Sequence, residues 1–347
     1  MSPLFEVPQT FEQNLESRLN FFTYSLKEPA RLAEAIRNLS NLFIKGNVTE
    51  NYWKDANHRA SYLSYFSVLN FVRDSAVFRE AARLGFLSEA KKIADWGCGA
   101  GAATWAGLTE LNESFSGEIC GIDKSAEALE EYSHWLTLFR VKPSAKKLEL
   151  KQLTNHGADT LILSYVLNEV DSWPEIPLGV QRLVIMEPST NQAGRRLLEW
   201  RQKFLNEGWF AWAPCTHQYG CPLILNSSKD WCHHRVHWIK PQWFLELEKF
   251  LPMKNDTLTV SYLLISRQPP PSNLNGLARV VGDEQEEKGK TRQMICRGPQ
   301  REFLSWLHRT QISLKMKRGD LLQIGKVDQR SNELRVNDAS EIQKIEN

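Results

Sequence analysis

The chain has 347 residues, 42% of them hydrophobic and 24% charged, with a formal net charge of +2. This is ordinary globular composition, enough for one large core or two modest ones, and it excludes a collagen-like or wholly disordered chain. The near balance of charge removes any global field that would advertise nucleic acid, although a local basic patch fits inside a balanced total.

In chain order, the opening MSPLFEVPQTFEQNLESRLN has no basic stretch leading into an apolar one, and it carries Glu6, Glu12 and Glu16. Neither a secretory signal nor a mitochondrial presequence is expected. No apolar run reaches the roughly 18 to 20 residues that a bilayer span needs, so no membrane is expected either. Residues 1–88 read as a helical cap. EPARLAEAIRNLSNLFIKG places Leu32, Ala35, Ile36, Leu39, Leu42 and Phe43 at three- and four-residue steps, with Gly46 as a stop, and ASYLSYFSVLNFVRDSAVFREAARLG continues the period.

From Lys91 the rhythm changes to short apolar runs alternating with helical stretches. KIADWG, GEICGID, ADTLILSY, QRLVIMEPS and TLTVSYLLISRQ each fit a buried strand. Strands alternating with helices imply a doubly wound parallel sheet, expected over 89–267 with a cysteine-rich insert at 211–240 after the fifth strand. QPPPSNLNG at 268–276 reads as a break. A small C-terminal β extension is expected over 268–326, and a disordered tail over 327–347.

IADWGCGAGAATWAGL reads D-x-G-x-G-x-G at Asp95, Gly97, Gly99 and Gly101, directly after a strand and opening a helix. Glycines there let the backbone turn sharply and approach a cofactor closely. The next strand ends on Asp123, placed to accept from two ribose hydroxyls. The even glycine spacing and the acid at the strand end resemble motif I of S-adenosylmethionine-dependent methyltransferases rather than a dinucleotide fingerprint. The tetrapeptide of exocyclic-amine enzymes is absent: SYVLNEV, Ser164–Val170, stands in its place. Asn168 and Glu169 are expected to face the substrate side, Asn168 counting among the cofactor-binding candidates. No catalytic base is named. Pro214-Cys215 has the look of a cytosine C5 nucleophile, but its place past the fifth strand and its cysteine neighbours favour ligation.

Those neighbours are unusual. Between Ala213 and Trp238 lie three of the chain's six cysteines and four of its eight histidines. Cys215, Cys221 and Cys232, spaced C-x5-C and C-x10-C, suit an iron–sulfur cluster or a structural zinc, and the spacing does not decide between them. Zinc would take a fourth ligand from His217, His233, His234 or His237. Iron–sulfur would prefer Cys296, since Cys98 and Cys120 read as small buried thiols. Trp209, Trp212, Trp231 and Trp238 are expected to shield the site.

Taken together, DWGCGAG, YVLNEV, VIMEPS, APCTHQYGCP, DWCHHRV, SYLLISR, ICRG and RGDLL run in order from about residue 50 to 325. On these motifs the chain resembles the ribosomal small-subunit assembly family that includes the mitochondrial methyltransferase-like protein 17 and its bacterial relatives. The resemblance implies a Rossmann-like methyltransferase fold, S-adenosyl-L-methionine as cofactor and a [4Fe–4S] cluster on Cys215, Cys221, Cys232 and Cys296. It implies association with the small ribosomal subunit and its rRNA in assembly or translation. Without a presequence, a bacterial-type cytoplasmic member is expected, monomeric when free.

Methyl transfer itself is left open, because a fold can survive as a binding module. Two other readings stand beside the first: a non-catalytic assembly factor on the same fold, and a zinc-stapled methyltransferase acting on a protein or small molecule. The segment GLARVVGDEQEEKGKTR is acidic in its middle, against an RNA-facing strand there. Basic candidates for phosphate contact are Arg195, Arg196 and Arg201 on one helix, and Lys315, Lys317 and Arg318 near the end.

Overall fold

A computed structural model of the chain describes residues 4–45, 51–111, 115–139, 144–148, 156–167, 175–271, 276–312 and 314–345. The front of the chain is a short strand β1 (Phe5–Glu6) and helices α1 (Gln9–Phe21), α2 (Pro29–Ile44), α3 (Ala56–Ser61) and α4 (Ser67–Arg83). Pro29 sits in the first turn of α2, where its missing N–H costs nothing, and Leu32, Ala35, Ile36 and Leu39 form its buried stripe. The Asp55 side chain caps α3 by accepting from the amides of Asn57 and His58.

One helical period was expected through ASYLSYF, but Tyr62–Phe66 is a π-helical turn between α3 and α4. Hydroxyls compete for the backbone just ahead of and inside it. Ser61 Oγ donates to the Asn57 carbonyl at 2.7 Å and Ser64 Oγ to that of Ala60 at 2.7 Å, which favours local widening of the helix.

The central sheet contains β2 (Lys92–Trp96), β3 (Glu118–Asp123), β4 (Ser144–Lys147), β5 (Thr160–Ser164), β6 (Arg182–Glu187), β7 (Phe210–Ala213), β8 (His234–Ile239) and β9 (Thr257–Ser266). Helices α5 (Ala102–Leu111), α6 (Ala126–Trp135), α7 (Asn191–Asn206), α8 (Pro222–Leu225) and α9 (Gln242–Glu248) connect them. The strand order is β1-β8-β9-β6-β5-β2-β3-β4, with β7 also on β9. β2 to β6 pair in parallel, whereas β9 runs antiparallel to β6, β7 and β8. The order reverses between β2 and β5, so loops at the carboxyl ends of those strands open a crevice.

β7 and β8 pair with successive parts of the same neighbour, β7 with Leu264–Ser266 and β8 with Thr257–Val260. The cysteine stretch is thus an interruption within one strand row rather than an insert after the fifth strand, and the expected range 211–240 takes in parts of both strands. β4 went unread because SAKK is polar and fully exposed at the sheet edge.

A second sheet holds β10 (Leu277–Glu287), β11 (Lys290–Cys296), β12 (Glu302–Leu307), β13 (Leu321–Ile324), β14 (Asp328–Arg330), β15 (Glu333–Arg335) and β16 (Ile342–Ile345). Its order is β14-β15-β12-β11-β10-β13-β16, mostly antiparallel. The acidic segment noted above is the outer end of the β10–β11 hairpin, with Glu284, Gln285 and Glu286 in solvent. The expected disordered tail is corrected here. β14, β15 and β16 form within 327–347, and Leu334 and Val336 are buried in this sheet's core with Leu304, Trp306 and Leu322. Leu334 and Val336, with Val327 and Ile342 packed at the margin, suffice when neighbouring strands supply the rest of the core.

The first sheet is doubly wound and Rossmann-like, parallel from β2 to β6, with the antiparallel strand β9 towards one edge. Among the described residues, no helix is long and apolar enough to cross a membrane.

Candidate functional site

The glycine loop lies at the crevice. Gly97, Gly99 and Gly101 have φ of +74°, +52° and +85°, the left-handed region where a side chain is strained. The amides of Gly97 and Cys98 donate to the Ile122 carbonyl at 2.8 and 3.1 Å, fastening the loop to β3. Asp123, at the end of β3, accepts from the Gly99 amide at 3.0 Å and the Ser125 amide at 2.8 Å. Ser125 in turn caps α6 through the Ala128 amide. One carboxylate therefore ties together the loop and the helix start.

Asp95 is turned inward. It is buried and accepts from Thr104 Oγ1 at 2.6 Å. Burial pushes its carboxyl up to about 7 against the hydrogen bonds from Thr104, with the charge of Asp123 adding to the rise. The helical cap reaches the loop from above. A Cβ at Gly99 would stand 3.4 Å from Trp53 Cζ2 and 3.7 Å from Tyr62 Oη. Asn51 Nδ2 donates to Ser125 Oγ at 3.1 Å and to Glu127 Oε2 at 2.9 Å.

At the carboxyl end of β5, Tyr165 has φ +55° and a buried hydroxyl with no hydrogen-bond partner among the described residues. Beside it, Asp74 on α4 accepts from Ser164 Oγ at 3.2 Å and keeps Oδ1 buried and unpartnered. Burial raises the Asp74 carboxyl and the Tyr165 phenol well above their usual ranges. Glu187, ending β6, accepts from the Leu167 amide at 3.2 Å. Sequence reading missed Asp74 and Tyr165. The signal for Asp74 was an acid on an otherwise apolar and small-residue face of α4. Asn168 and Glu169 lie outside the described residues.

The cysteines come from both sheets into one part of the interior. Cys221 and Cys296 are buried with Leu198, Leu223, Val281, Met294 and Phe303, and Cys232 packs against them. Arg201, fully buried on α7, donates to Cys215 Sγ at 2.9 Å and to the carbonyls of Tyr219 and His217. Burial lowers its pKa, but the neighbouring Cys215 and Cys221 carry it upward overall. Burial raises the thiols of Cys221, Cys232 and Cys296, and Cys215 adds to each shift. His217 Nε2 lies 3.3 Å from Cys296 Sγ, and burial followed by Arg201 lowers the imidazole to about 4. Among the described residues, no group of three or more His, Cys, Asp or Glu is placed to hold a metal ion.

Three expectations change here. Arg201 cannot reach phosphate from solvent, because it faces the cysteines. Arg195 is occupied with the carbonyls of Ser227 and Asp230. The shield of the cysteines is largely aliphatic: Trp238 packs on Phe244 and Trp212 on Phe86, while Trp209 sits in the sheet core that Cys215 borders. Cys98 and Cys120 are buried in the loop and in β3, as small thiols were expected to be.

A sequence profile of the family described as mitochondrial small ribosomal subunit Rsm22 matches residues 76–323. No curated protein sequence matches the chain. Among solved structures, the 16S rRNA methylase ArmA is 14% identical at a TM-score of 0.33, covering 63% of this chain and 99% of that one. The plantazolicin methyltransferase BpumL, in complex with an analogue and S-adenosylhomocysteine, is 13% identical at 0.34, covering 70% and 98%. TrmK of M. capricolum, in complex with S-adenosylhomocysteine, is 9% identical at 0.30, covering 54% and 69%. The profile takes in the glycine loop, all four of the gathered cysteines and the RGDLL turn, and the chain belongs to the Rsm22 family of the mitochondrial small ribosomal subunit.

Proposed function

We propose that the chain is an S-adenosylmethionine-binding, methyltransferase-like protein that acts with the small ribosomal subunit and its rRNA in assembly or translation. The observation that carries the cofactor assignment is Asp123, whose carboxylate holds the Gly99 amide and the start of α6 at the carboxyl end of β3. The loop fits a nucleoside cofactor because its three left-handed glycines leave backbone, not side chains, at the crevice. Asp123 keeps lone pairs for ribose hydroxyls, and Gly97, Gly99 and Gly101 border the methionine end.

When bound, S-adenosylmethionine supplies an electrophilic sulfonium methyl. The chain's own part is positioning: Trp53 and Tyr62 cover the loop, and Asp74 and Tyr165 present buried polar atoms at the end of β5. Calorimetry with S-adenosylmethionine tests the reading, with micromolar-range binding expected for the wild type and loss in Asp123→Ala. Labelled methyl transfer to small-subunit rRNA separates an enzyme from a non-catalytic assembly factor.

The cysteines support a [4Fe–4S] cluster on Cys215, Cys221, Cys232 and Cys296. Cys221, Cys232 and Cys296 share an apolar pocket, Cys215 borders it through Arg201, and that guanidinium would offset the thiolates' charge. A four-iron cluster binds each thiolate at a different corner, so it needs them further apart than one ion does. A zinc site with three cysteines and His217 is the second reading, favoured by the contact of His217 with Cys296. Four thiolates leave a cluster no open position, which makes its role structural or sensory.

A further inference from the structure

Where α4, β8 and the turn before β13 meet, a cleft opens to solvent between the two sheets. Arg79, Arg235, Arg279, Lys317 and Arg318 line it against only two carboxylates, Glu80 and Asp320. Both acids are engaged, Glu80 by Arg279 and Arg83, and Asp320 by Lys344. Arg235 and Arg318 share Asp283 outside the cleft, and Arg79 pairs with Glu110. The Lys317 side chain is exposed and has no ion pair among the described residues.

The wall also carries two histidines. Nε2 of His234 and of His237 is buried without a hydrogen-bond partner among the described residues. The turn is built tightly against them. Gly319 has φ +98°, and a Cβ there would stand 2.9 Å from His234 Nδ1. Its amide donates to the Val280 carbonyl at 2.9 Å, and its carbonyl accepts from Arg279 at 2.9 Å. Cationic side chains, two imidazole nitrogens able to donate, and no uncommitted carboxylate suit an oxyanion carrying several acceptor oxygens. An open cleft with exposed Arg235 and Lys317 on it admits a polymer, whereas an enclosed one would admit only a small anion.

We propose that this cleft binds a phosphate group of an RNA backbone. The phosphate chemistry stands on the cleft; the choice of RNA rests on the ribosomal reading above. The test is anisotropy of a labelled small-subunit rRNA fragment at several salt concentrations, with inorganic phosphate titrated separately. Arg235 and Lys317 are exposed, so Arg235→Ala/Lys317→Ala and the single Lys317→Glu are expected to fold, which circular dichroism checks. Lys203→Ala, on the surface of α7, is the control.

The expected result is RNA affinity weakened on the order of tenfold in the double variant, with the slope of log affinity against log salt reduced by about 1 for each cation removed. Lys317→Glu should weaken it too, and the control should not. Folded variants with wild-type affinity and slope overturn the proposal. Inorganic phosphate binding that the variants lose, beside unchanged RNA binding, gives the cleft to a small anion and also overturns it. Wild-type protein that binds no rRNA contradicts the ribosomal reading together with this one, whereas wild-type binding kept by the variants contradicts this one alone.

Discussion

Arg279 Nη2 and Glu80 Oε1 meet at 2.6 Å, both fully buried, joining β10 of the C-terminal sheet to α4 of the helical cap. The same guanidinium donates to the Pro214 carbonyl at 3.0 Å, so one side chain fastens three parts of the chain. Burial alone would raise the Glu80 carboxyl, but Arg279, helped by Arg83, holds it down from 4.5 to about 2. A carboxylate lowered by folding contributes stability above its unfolded pKa, and that contribution is lost as pH falls from about 4.5 towards 2. Urea unfolding across that window is expected to lose roughly 3 kcal/mol in the wild type. Glu80→Gln should lack this part of the acid transition and be less stable at neutral pH by about 3 kcal/mol, because Arg279 is left buried without a counter-charge. Equal stability of the two proteins at neutral pH would contradict the account.

The sign is opposite at Asp95. Its carboxyl is raised from 3.8 to about 7, so the native protein keeps a proton that the unfolded chain releases. Stability should fall as pH rises through that interval. Asp95→Asn removes the titration, and its stability should be flatter from pH 4 to 7, read by unfolding at each pH. A profile parallel to the wild type's would show that Asp95 is not the group responsible.

Gly101 and Gly99 separate fold from binding. At Gly101, φ is +85° and a Cβ would stand 2.8 Å from Tyr132 Cδ2, so Gly101→Ala is expected to cost about 1 to 3 kcal/mol of stability. At Gly99 the nearest atom to a Cβ is 3.4 Å away, at φ +52°. Gly99→Ala should fold with a smaller loss and bind S-adenosylmethionine more weakly. Thermal unfolding with and without the cofactor distinguishes the two.

Arg201 is predicted to tune the cysteine site. Its guanidinium touches Cys215 Sγ at 2.9 Å, and in the proposed cluster positive charge there would favour the more reduced, more negative state. Arg201→Gln should therefore lower the reduction potential on the order of tens of millivolts. An unchanged potential in a protein that keeps its colour would contradict this role.

The central sheet was legible because β2, β3, β5, β6 and β9 are continuous apolar runs, buried as central strands are. β7 and β8 were not, because FAWA is only four residues long and HRVHWI mixes His and Arg with its apolar residues, and the tail strands were hidden because Leu334 and Val336 complete a core built elsewhere in the sequence. In the candidate site, the glycines and Asp123 followed from local spacing. Asp74, Tyr165 and the turn of Arg201 towards the cysteines did not, since each depends on what a distant element places opposite it.

The most direct test is metal analysis of protein purified without oxygen: iron, sulfide and zinc per chain, together with the visible spectrum. About four irons and four sulfides, with absorption near 400 nm that Cys296→Ala loses and His217→Ala keeps, is the predicted result. One zinc without iron, lost in His217→Ala, would contradict the cluster and place a histidine among the ligands.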